Sequence, residues 1–408
     1  MKIKVNSKKT IKKTIEEVVY FLLFPALVLI NMILKIFMKV KGYKNINIIN
    51  VVFARIGHMA ESAELFLRCN LQNKEKQLNL FVSLIFWNKQ FIANKQLSNM
   101  IKRKITVVED MFSTHLILFL CRNMKVLRIY APYHFDNYEV WTKYPPQLSF
   151  TIEEEKKGKE LLREINIDPN AKFICFHNRD NAYLEKKDRL FGQKIDRFYH
   201  NYRDCSINNY LMAVEFLARK GMYAIRMGEI VKDKLVINNS KIIDYASHHR
   251  SDFGDIYLPA KCKFFLGSTA GLSLVPTIFN IPIARANYIP IGYPPLSARD
   301  IFIPKKLWLT TDKRFLTFRE IIEMGAHEWL ETQNYLDNGI EVIENTPVEI
   351  LELAKEMDSR IDDRWVETDE DIELQTKYRQ LFTPGIHGYG SKSRIGSKFL
   401  RDNRNLLE

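Results

Sequence analysis

The alternation of short apolar runs with helix-like segments constrains the fold of this 408-residue chain more than any other feature. Such alternation is typical of parallel sheets in α/β domains. The predicted strands are NINIINVVFA, LNLFVSLIFW, KITVVE and KVLRIYA, and then KFICFH, MYAIRMG, KIIDYA, KFFLG and IPIARA. The aromatic, proline-containing stretch at residues 132–147 separates the two sets, so we predict it to be a linker between two α/β domains.

We therefore predict two Rossmann-like domains facing each other across a cleft, with an N-terminal apolar helix and a helical C-terminal tail. The predicted boundaries are a basic apolar segment at residues 1–44, domains at 45–150 and 151–315, and a helical region at 316–408. Ligands of open α/β sheets bind at the carboxyl ends of the strands. Residues that directly follow the predicted strands are therefore the candidates for a site.

The first 50 residues carry +8 of the net charge of +13, with ten lysines against Glu16 and Glu17. These lysines flank VVYFLLFPALVLINMIL, residues 18–34, which has no charge. Lysines beside an apolar segment are typical of proteins that associate with a membrane. We expect a membrane contact through residues 18–38, and no nucleic acid as partner.

The apolar segment is short for a membrane span, and Pro25 would kink a helix there. It could span the bilayer, lie within one leaflet or form a buried helix of a soluble protein. No small-residue cleavage site follows it, which disfavours a removed signal peptide.

The five cysteines are scattered, and none forms a C-x-x-C pair. This pattern favours a reducing compartment over a disulfide framework or a zinc site. The adjacent His248 and His249 are wrongly spaced for two ligands on one helix face, so we expect no metal.

The first predicted strand is followed by ARIGHMAE, residues 54–61. Gly57 permits a tight turn, and His58 then lies at the start of a helix. Histidine titrates near neutral pH and can accept a proton from a hydroxyl group. His58 is therefore a candidate general base, and a helix-capping histidine without chemistry is the alternative.

Two arginines follow strands of the second set. Arg179 follows KFICFH, and its planar guanidinium suits phosphate or carboxylate; a surface pair with Asp180 is the alternative. Arg226 follows MYAI, and a structural salt bridge is its alternative role.

The stretch KFFLGSTAGLSLVPTIFNIP, residues 263–282, places small residues between an apolar strand and a helix predicted at Leu272–Phe279. Backbone N–H groups at such a turn favour an anion. An ordinary helix cap is the alternative, because Ser and Thr also cap helices. The predicted phosphate-binding residues are Ser268, Thr269, Ala270 and Gly271.

Several stretches together resemble a family of bacterial glycosyltransferases from surface-polysaccharide gene clusters. They cover residues 53 to about 403: FARIGHMAESAELFLR, FICFHNRDNAYL, HNYRDCSINNYLMAVEFLARKGMYAIRMGE, CKFFLGSTAGLSLVP, DIFIPKKLW, LTFREII and SRIGSKFLRDN. The resemblance implies the GT-B architecture, a donor nucleotide held mainly by the second domain, and no obligatory metal. The chain is also distantly similar to fucosyltransferases: His177 and Arg179 match their H-x-R-R motif, whereas Asp180 replaces its second arginine.

The resemblance implies that a sugar moves from a nucleotide-sugar to a glycan or lipid-linked acceptor at the cytoplasmic face of the inner membrane. The nucleotide-sugar is a substrate, so no cofactor is expected. For this reaction we predict His58, Arg179 and Arg226 as catalytic residues. The predicted donor-binding residues are His177, Glu229, Asp255, Ser268, Thr269, Ala270 and Gly271, and we predict Arg55, Gly57 and Glu61 on the acceptor side.

Two other function classes are compatible with parts of the sequence. An NAD-dependent oxidoreductase would need G-x-G-x-x-G after a strand, and RIGHMAE lacks the second and third glycines. A membrane-associated protein that binds a nucleotide-sugar without catalysis is the second alternative.

Overall fold

The structure is a computed structural model that describes residues 24–43, 45–72, 77–83, 92–108, 117, 119–121, 127–130, 138–182 and 198–408. The chain divides into two compact units. The first comprises residues 1–53, 70–91 and 102–132, and the second comprises residues 54–69, 92–101 and 133–408. Residues 54–69 thus belong to the second unit, although the sequence predicts them to lie in the first domain.

The first unit contains a four-stranded parallel sheet in the order β3-β2-β1-β4. Its strands coincide with the four apolar runs predicted there, and Ile46, Ile48 and Ile49 of β1 are buried. The strands are β1 Asn45–Val51, β2 Gln77–Ser83, β3 Thr106–Val108 and β4 Leu127–Tyr130.

Residues 24–41 of the first unit form helix α1. Met38 is buried in a small cluster with Ile46 and Ile48. Among the residues described, no helix is long and apolar enough to cross a bilayer. Residues 18–23 of the predicted membrane segment lie outside the described residues. The exposed large apolar side chains of α1 are Phe24, Val28, Leu29, Ile30, Met32, Ile33, Ile36, Phe37 and Val40.

The second unit is built on a seven-stranded, fully parallel sheet in the order β14-β10-β9-β8-β5-β6-β7. Each strand predicted from residue 172 to residue 286 is present in it. The second unit also contains a small, three-stranded antiparallel sheet in the order β12-β11-β13. The bounds are β5 Phe173–His177, β6 Tyr223–Arg226, β7 Ile242–Ile243, β8 Phe265–Gly267, β9 Ile283–Tyr288, β10 Ile301–Pro304, β11 Lys306–Leu309, β12 Arg314–Phe315, β13 Ile340–Ile343 and β14 Arg394–Ile395.

Both faces of this sheet are buried, as a parallel sheet requires. Successive side chains of a strand point to opposite faces. Ile174 and Phe176 of β5 accordingly pack in one apolar cluster, and Phe173 and Cys175 pack in the other. This is why the strands of the second unit read as continuous apolar runs.

Some of the helices that pack around the sheet begin at recognisable caps. Thr151 and Glu154 form a capping box at the start of α5, Ile152–Glu164, and Gly221, with φ 93°, follows the end of α6, Asn208–Arg219. The helices are α2 Ile56–Gln72, α3 Lys95–Lys102, α4 Tyr138–Lys143, α5 Ile152–Glu164, α6 Asn208–Arg219, α7 Tyr245–His248, α8 Gly254–Lys261, α9 Leu274–Ile278, α10 Phe318–Glu323, α11 Thr332–Asp337, α12 Pro347–Ile361, α13 Asp369–Gln380 and α14 Ser397–Asp402.

Two sequence predictions need correction. The segment 132–147 is not only a linker, because it contains α4, where Tyr138 and Trp141 are buried. The region 316–408 is not only helical: it supplies β13 and β14, and its helices share the apolar core of the large sheet. Aromatic residues in the first segment serve as core residues, which its weak periodicity concealed.

A buried ion pair, Arg68 with Glu64 on α2, joins three parts of the second unit. Both side chains are fully buried. Glu64 also accepts the backbone N–H groups of Gln147 at 2.7 Å and Leu148 at 3.2 Å. The Arg68 guanidinium donates to Glu64 Oε1 at 2.7 Å, Trp141 O at 3.2 Å, Tyr144 O at 3.0 Å, Asn280 Oδ1 at 3.0 Å and Ile278 O at 2.9 Å. These bonds fix α2 against the segment 141–148 and the loop after α9.

Candidate functional site

A pocket of about 420 Å³ lies within the second unit, where loops after β5, β6 and β8 meet the start of α2. It is the place that the strand-end rule predicts for a ligand. The structure brings most of the predicted site residues together here. Those that line the pocket are Arg55, Gly57, His58, Glu61, His177, Arg179, Glu229, Asp255, Thr269, Ala270 and Gly271.

Two glycines allow the start of α2 to approach the turn after β8. A Cβ atom on Gly57 would lie 2.8 Å from the Cα of Gly271, and one on Gly271 would lie 3.3 Å from the Gly57 nitrogen. The sequence predicts one continuous helix after this turn, at Leu272–Phe279. The structure instead has a 3₁₀ turn, Gly271–Ser273, followed by the short helix α9. A valine at Gly271 would therefore disturb packing against Gly57, whatever the turn binds.

The hydroxyl groups of the GSTAG turn bond to the protein itself. Ser268 is fully buried and lies outside the pocket, and its Oγ accepts the backbone N–H of Arg179 at 2.9 Å. Thr269 Oγ1 accepts the backbone N–H of Ile289 at 3.2 Å. Ser268 thereby positions the loop that carries Arg179.

Arg226 also lies outside the pocket. It is buried in the second unit, where its Nη1 donates to the Asp233 carbonyl at 2.5 Å and lies 3.5 Å from Asp244 Oδ2. The salt-bridge alternative is thus the arrangement observed, and this geometry offers no contact between Arg226 and a ligand in the pocket.

Three arginines and a histidine form the basic side of the pocket: Arg55, Arg179, Arg203 and His200. Arg179 pairs with Asp204 and donates from Nη1 to the His200 carbonyl at 3.0 Å. Arg203 has a buried Nε without a hydrogen-bond partner in the described part of the chain. Buried polar groups are usually paired. Nε and Nη2 of Arg226, outside the pocket, also have no partner among the described residues, so it is the place of Arg203 in the pocket lining that makes it a candidate for ligand binding.

The pKa values on the basic side reflect crowded positive charge. Burial lowers the pKa of His200 to about 3, with Arg203, Arg179 and Arg55 adding to the effect. Burial, followed by the nearby Arg203, lowers the pKa of Arg179 to about 10. His200 is therefore neutral at pH 7, and Arg179 keeps its charge. Such a cluster suits a polyanion.

Asp255, Glu229 and His177 also line the pocket. Asp255 Oδ2 accepts from Arg250 Nε at 2.8 Å, while Oδ1 is buried and has no hydrogen-bond partner among the described residues. Burial raises the Asp255 pKa to about 7, although Arg250 opposes the shift.

His177 Nδ1 lies 3.0 Å from the Met227 carbonyl. A carbonyl only accepts, so Nδ1 carries the proton and Nε2 is left as an acceptor. Burial lowers the His177 pKa to about 4, which keeps the ring neutral.

His58 and Glu61 lie one turn apart on α2, and both line the pocket. His58 is exposed, whereas Glu61 is buried. Burial raises the Glu61 pKa to about 7, and the charge of Arg285 partly offsets this shift. A group that titrates near 7 suits proton transfer at neutral pH.

No protein-family profile and no curated protein matches the sequence. Among solved structures, the chain is similar to a glycosyl transferase of family 9 from Veillonella parvula DSM 2008. The sequence identity is 10%, the match covers 77% of this chain and 97% of that chain, and the TM-score is 0.45.

The chain is also similar to TibC, a dodecameric iron-containing glycosyltransferase from enterotoxigenic E. coli H10407. That match has 12% identity and a TM-score of 0.31 over 63% of this chain and 62% of TibC. A second TibC structure, of the heptosyltransferase in complex with ADP-D-beta-D-heptose, matches with 11% identity and a TM-score of 0.28 over 60% and 58%. In the present chain, no group of three or more metal-ligating side chains is arranged to hold a metal ion within the residues described.

Among the pocket residues that reasoning from the sequence missed are His200, Arg203 and Arg285. His200 and Arg203 lie on the 3₁₀ turn Phe198–Arg203, which none of the strands predicted from the sequence directly precedes, and Arg285 lies within β9. The segment HNYRDC is basic and aromatic, and it precedes α6. That composition was the available signal for the first two.

Proposed function

We propose that the protein is a metal-independent glycosyltransferase of the GT-B type, which moves a sugar from a nucleotide-sugar to a glycan or lipid-linked acceptor. The observation that carries the proposal is the convergence of Arg55, Arg179 and Arg203 on one pocket that also holds His58 and Glu61. Glycosyl transfer needs positive charge for the leaving diphosphate and a proton acceptor for the attacking hydroxyl group.

In the proposed reaction, the acceptor oxygen bonds to the anomeric carbon of the donor. The bond from that carbon to the diphosphate oxygen breaks, and the diphosphate keeps the electron pair. Arg179 and Arg203 stabilise the charge that develops there, because a partly buried arginine interacts strongly with an anion. The hydroxyl proton passes to His58, with the buried Glu61 one turn away to orient the acceptor.

The test is turnover by the full-length protein with a panel of UDP-, GDP-, TDP-, ADP- and CMP-sugars. We expect release of the nucleotide from one donor, and loss of that activity in Arg203→Gln. Arg219→Gln, at an exposed position on α6, is the matched control and should keep full activity. Donor binding without turnover for any acceptor would instead favour the non-catalytic alternative, and binding of NADH alone would favour an oxidoreductase.

We further propose that α1 attaches the protein to the cytoplasmic face of the inner membrane. Its exposed apolar side chains, together with Lys35, Lys39 and Lys41, suit an anionic lipid surface. The full-length chain should sediment with vesicles that contain phosphatidylglycerol. Replacing Ile33, Ile36 and Val40 by serine should abolish sedimentation, whereas Ile152→Ser, at an exposed position of the second unit, should not. Equal sedimentation of the triple variant would contradict the proposal.

A further inference from the structure

We infer that a second pocket of the second unit binds an uncharged saccharide, and that this binding strengthens anion binding by Arg179 through its ion pair with Asp204. The second pocket has a volume of about 670 Å³. The inference rests on the proposed function only in assigning a diphosphate to the arginines. It goes beyond that function because it adds a ligand that the proposed reaction does not use.

Adjacent residues of the same loops line the two pockets. Arg179 and Arg203 line the pocket of the candidate site, whereas their neighbours Asn178 and Asp204 line the second pocket. The second pocket also includes residues of α11 and β13, and neither element belongs to the described lining of the first. The two pockets therefore adjoin along these loops.

The charge of the second pocket disfavours an anionic ligand. Among its described lining residues, five carboxylates from Asp180 to Glu344 face two lysines, Lys232 and Lys305. Such an excess of negative charge repels phosphates and nucleotides. In the described part of the chain, His, Cys, Asp and Glu side chains form no group that could hold a metal ion.

Buried polar groups of the second pocket can take both a donor and an acceptor from a ligand. The ammonium of Lys305, which is 5% exposed, donates to the carbonyls of Tyr202 at 3.1 Å and Asp204 at 2.6 Å, so one of its three hydrogens remains. Asn178 is 4% exposed and donates from Nδ2 to Cys205 O at 2.8 Å, while its Oδ1 has no partner among the described residues. A hydroxyl group both donates and accepts, so a polyhydroxylated ligand suits both groups.

Two carboxylates of the second pocket each keep one oxygen to which no described residue donates. Glu344 accepts at Oε2 from the Ser206 backbone N–H at 3.0 Å and from Asn209 Nδ2 at 2.8 Å, which leaves Oε1. Asp204 pairs with Arg179 through Oδ1, which leaves Oδ2. Ligand hydroxyl groups can donate to both of these oxygens.

Aromatic surface and volume favour a saccharide among polyhydroxylated ligands. Phe198 is 44% exposed and lines the second pocket, together with Tyr202 and Tyr335, whose rings stack with centroids 5.3 Å apart. A sugar ring has an apolar face that packs against an aromatic ring. The volume lies within the range of roughly 300–1,000 Å³ that is usual for small-ligand sites.

Asp204 couples the two pockets because its partner is Arg179. A diphosphate in the first pocket competes with Asp204 for the Arg179 guanidinium. A saccharide hydroxyl that donates to Asp204 Oδ2 satisfies part of the carboxylate charge, so Asp204 attracts Arg179 less strongly and the anion gains. By linkage, a bound diphosphate strengthens saccharide binding by the same factor.

The first experiment uses the wild-type, full-length protein. Saturation-transfer difference NMR tests uncharged mono- and disaccharides of glucose, galactose, mannose, N-acetylglucosamine and rhamnose, with glucose 6-phosphate and spermidine as charged probes. We expect an uncharged saccharide to bind, and neither charged probe to displace it. Calorimetry should then show that this saccharide raises the affinity for inorganic pyrophosphate by about fivefold or more.

The second experiment uses Asp204→Asn, which removes the charge that holds Arg179. Its affinity for pyrophosphate should exceed that of the wild type by about the same factor, and the saccharide should no longer change it. If Asp204 only positioned Arg179, the variant would bind pyrophosphate more weakly. Asp402→Asn is the matched control, because Asp402 is an exposed partner of Lys398 and lies outside both described pocket linings. It should keep the wild-type response to saccharide.

The inference is overturned if no uncharged saccharide binds, or if pyrophosphate affinity is the same with and without the saccharide; neither result needs a folded variant. An Asp204→Asn protein that responds to saccharide as the wild type does overturns it as well. Pyrophosphate separates this failure from that of the proposed function. Binding of pyrophosphate without coupling removes only the inference, whereas a wild-type protein that binds no pyrophosphate and no nucleotide removes both.

Discussion

The second unit contains buried and half-buried arginines that differ in how completely they are paired. Arg68 uses its Nε and both terminal nitrogens, and it bonds to a carboxylate, an amide and three carbonyl groups. Arg203 and Arg179 stand beside a pocket, and the Nε of Arg203 is without a partner within the described chain. We expect Arg68 to stabilise the fold, and Arg179 and Arg203 to bind a ligand.

The same contrast holds for the carboxylates. Glu64 accepts from Arg68, Gln147 and Leu148, so both of its oxygens are bound. Asp255 is equally buried, yet only one of its oxygens is bound. Burial alone does not distinguish Glu64 from Asp255, whereas the hydrogen bonds of their oxygens do.

The largest expected effect is on stability, at Arg68. Arg68→Met should lower the free energy of unfolding by about 3–5 kcal/mol, because Glu64 would remain buried without its partner. Chemical denaturation followed by tryptophan fluorescence measures it. The double variant Arg68→Met with Glu64→Leu should recover part of the loss. A stable single variant that fails to bind pyrophosphate would break the comparison, since it would place Arg68 in the site.

The second expected effect is on binding, at Arg203. Arg203→Gln should weaken binding of pyrophosphate and nucleotide by about 2–5 kcal/mol, since it removes one partner of a buried charge pair. Without ligand, its melting temperature should stay the same or rise, because a buried unpaired donor is removed. Unchanged affinity, with Arg219→Gln as reference, would make Arg203 a structural residue like Arg68.

A smaller effect is expected at Gly57. A Cβ atom there would lie 2.8 Å from the Cα of Gly271, so Gly57→Ala should cost about 1–3 kcal/mol of stability through overpacking. Thermal unfolding measures this loss of stability. Gly221→Ala serves as the reference, because Gly221 has φ 93° and an added Cβ atom there would have no neighbour within 4 Å, so its replacement causes backbone strain without overpacking. A Gly57→Ala protein as stable as wild type would show that the two loops are free to separate.

The smallest expected effect is the pH dependence of stability and of nucleotide affinity at Asp255, which lines the pocket. Its pKa is raised from 3.8 to about 7, so between these values the folded protein holds a proton that the unfolded chain releases. This group therefore contributes stability at low pH, and the contribution is lost as pH rises toward 7. Arg250, Glu229 and Asp252 are the charges that act on it.

A ligand that donates to Oδ1 favours the ionised carboxylate. Nucleotide affinity should then rise about tenfold (~1.4 kcal/mol) between pH 6 and pH 8, with release of a proton. Calorimetry in buffers of different ionisation enthalpy measures that proton. Asp255→Asn should flatten the profile over this range, and an unchanged slope would assign it to another group, such as Glu61.

The sequence predicted strands of the large sheet because their apolar runs are buried on both faces, and it predicted a part of the pocket lining because several of those residues lie at or just after strand ends. The prediction of site residues failed where the role of a side chain depends on its tertiary contacts. Arg226 lies at a strand end, as Arg179 does, and each pairs with an aspartate, yet only Arg179 lines the pocket. His200, Arg203 and Arg285 reach the pocket through tertiary packing, which no local spacing reveals.

The contact between Gly57 and Gly271 couples two positions that are far apart in the chain. Each backbone occupies the volume that a side chain on the other would need. Among descendants of this sequence, a larger residue at one position should persist only with a compensating shift at the other, so the two should covary. A library that randomises either position alone would return mostly glycine, and new pocket shapes should come from varying both together.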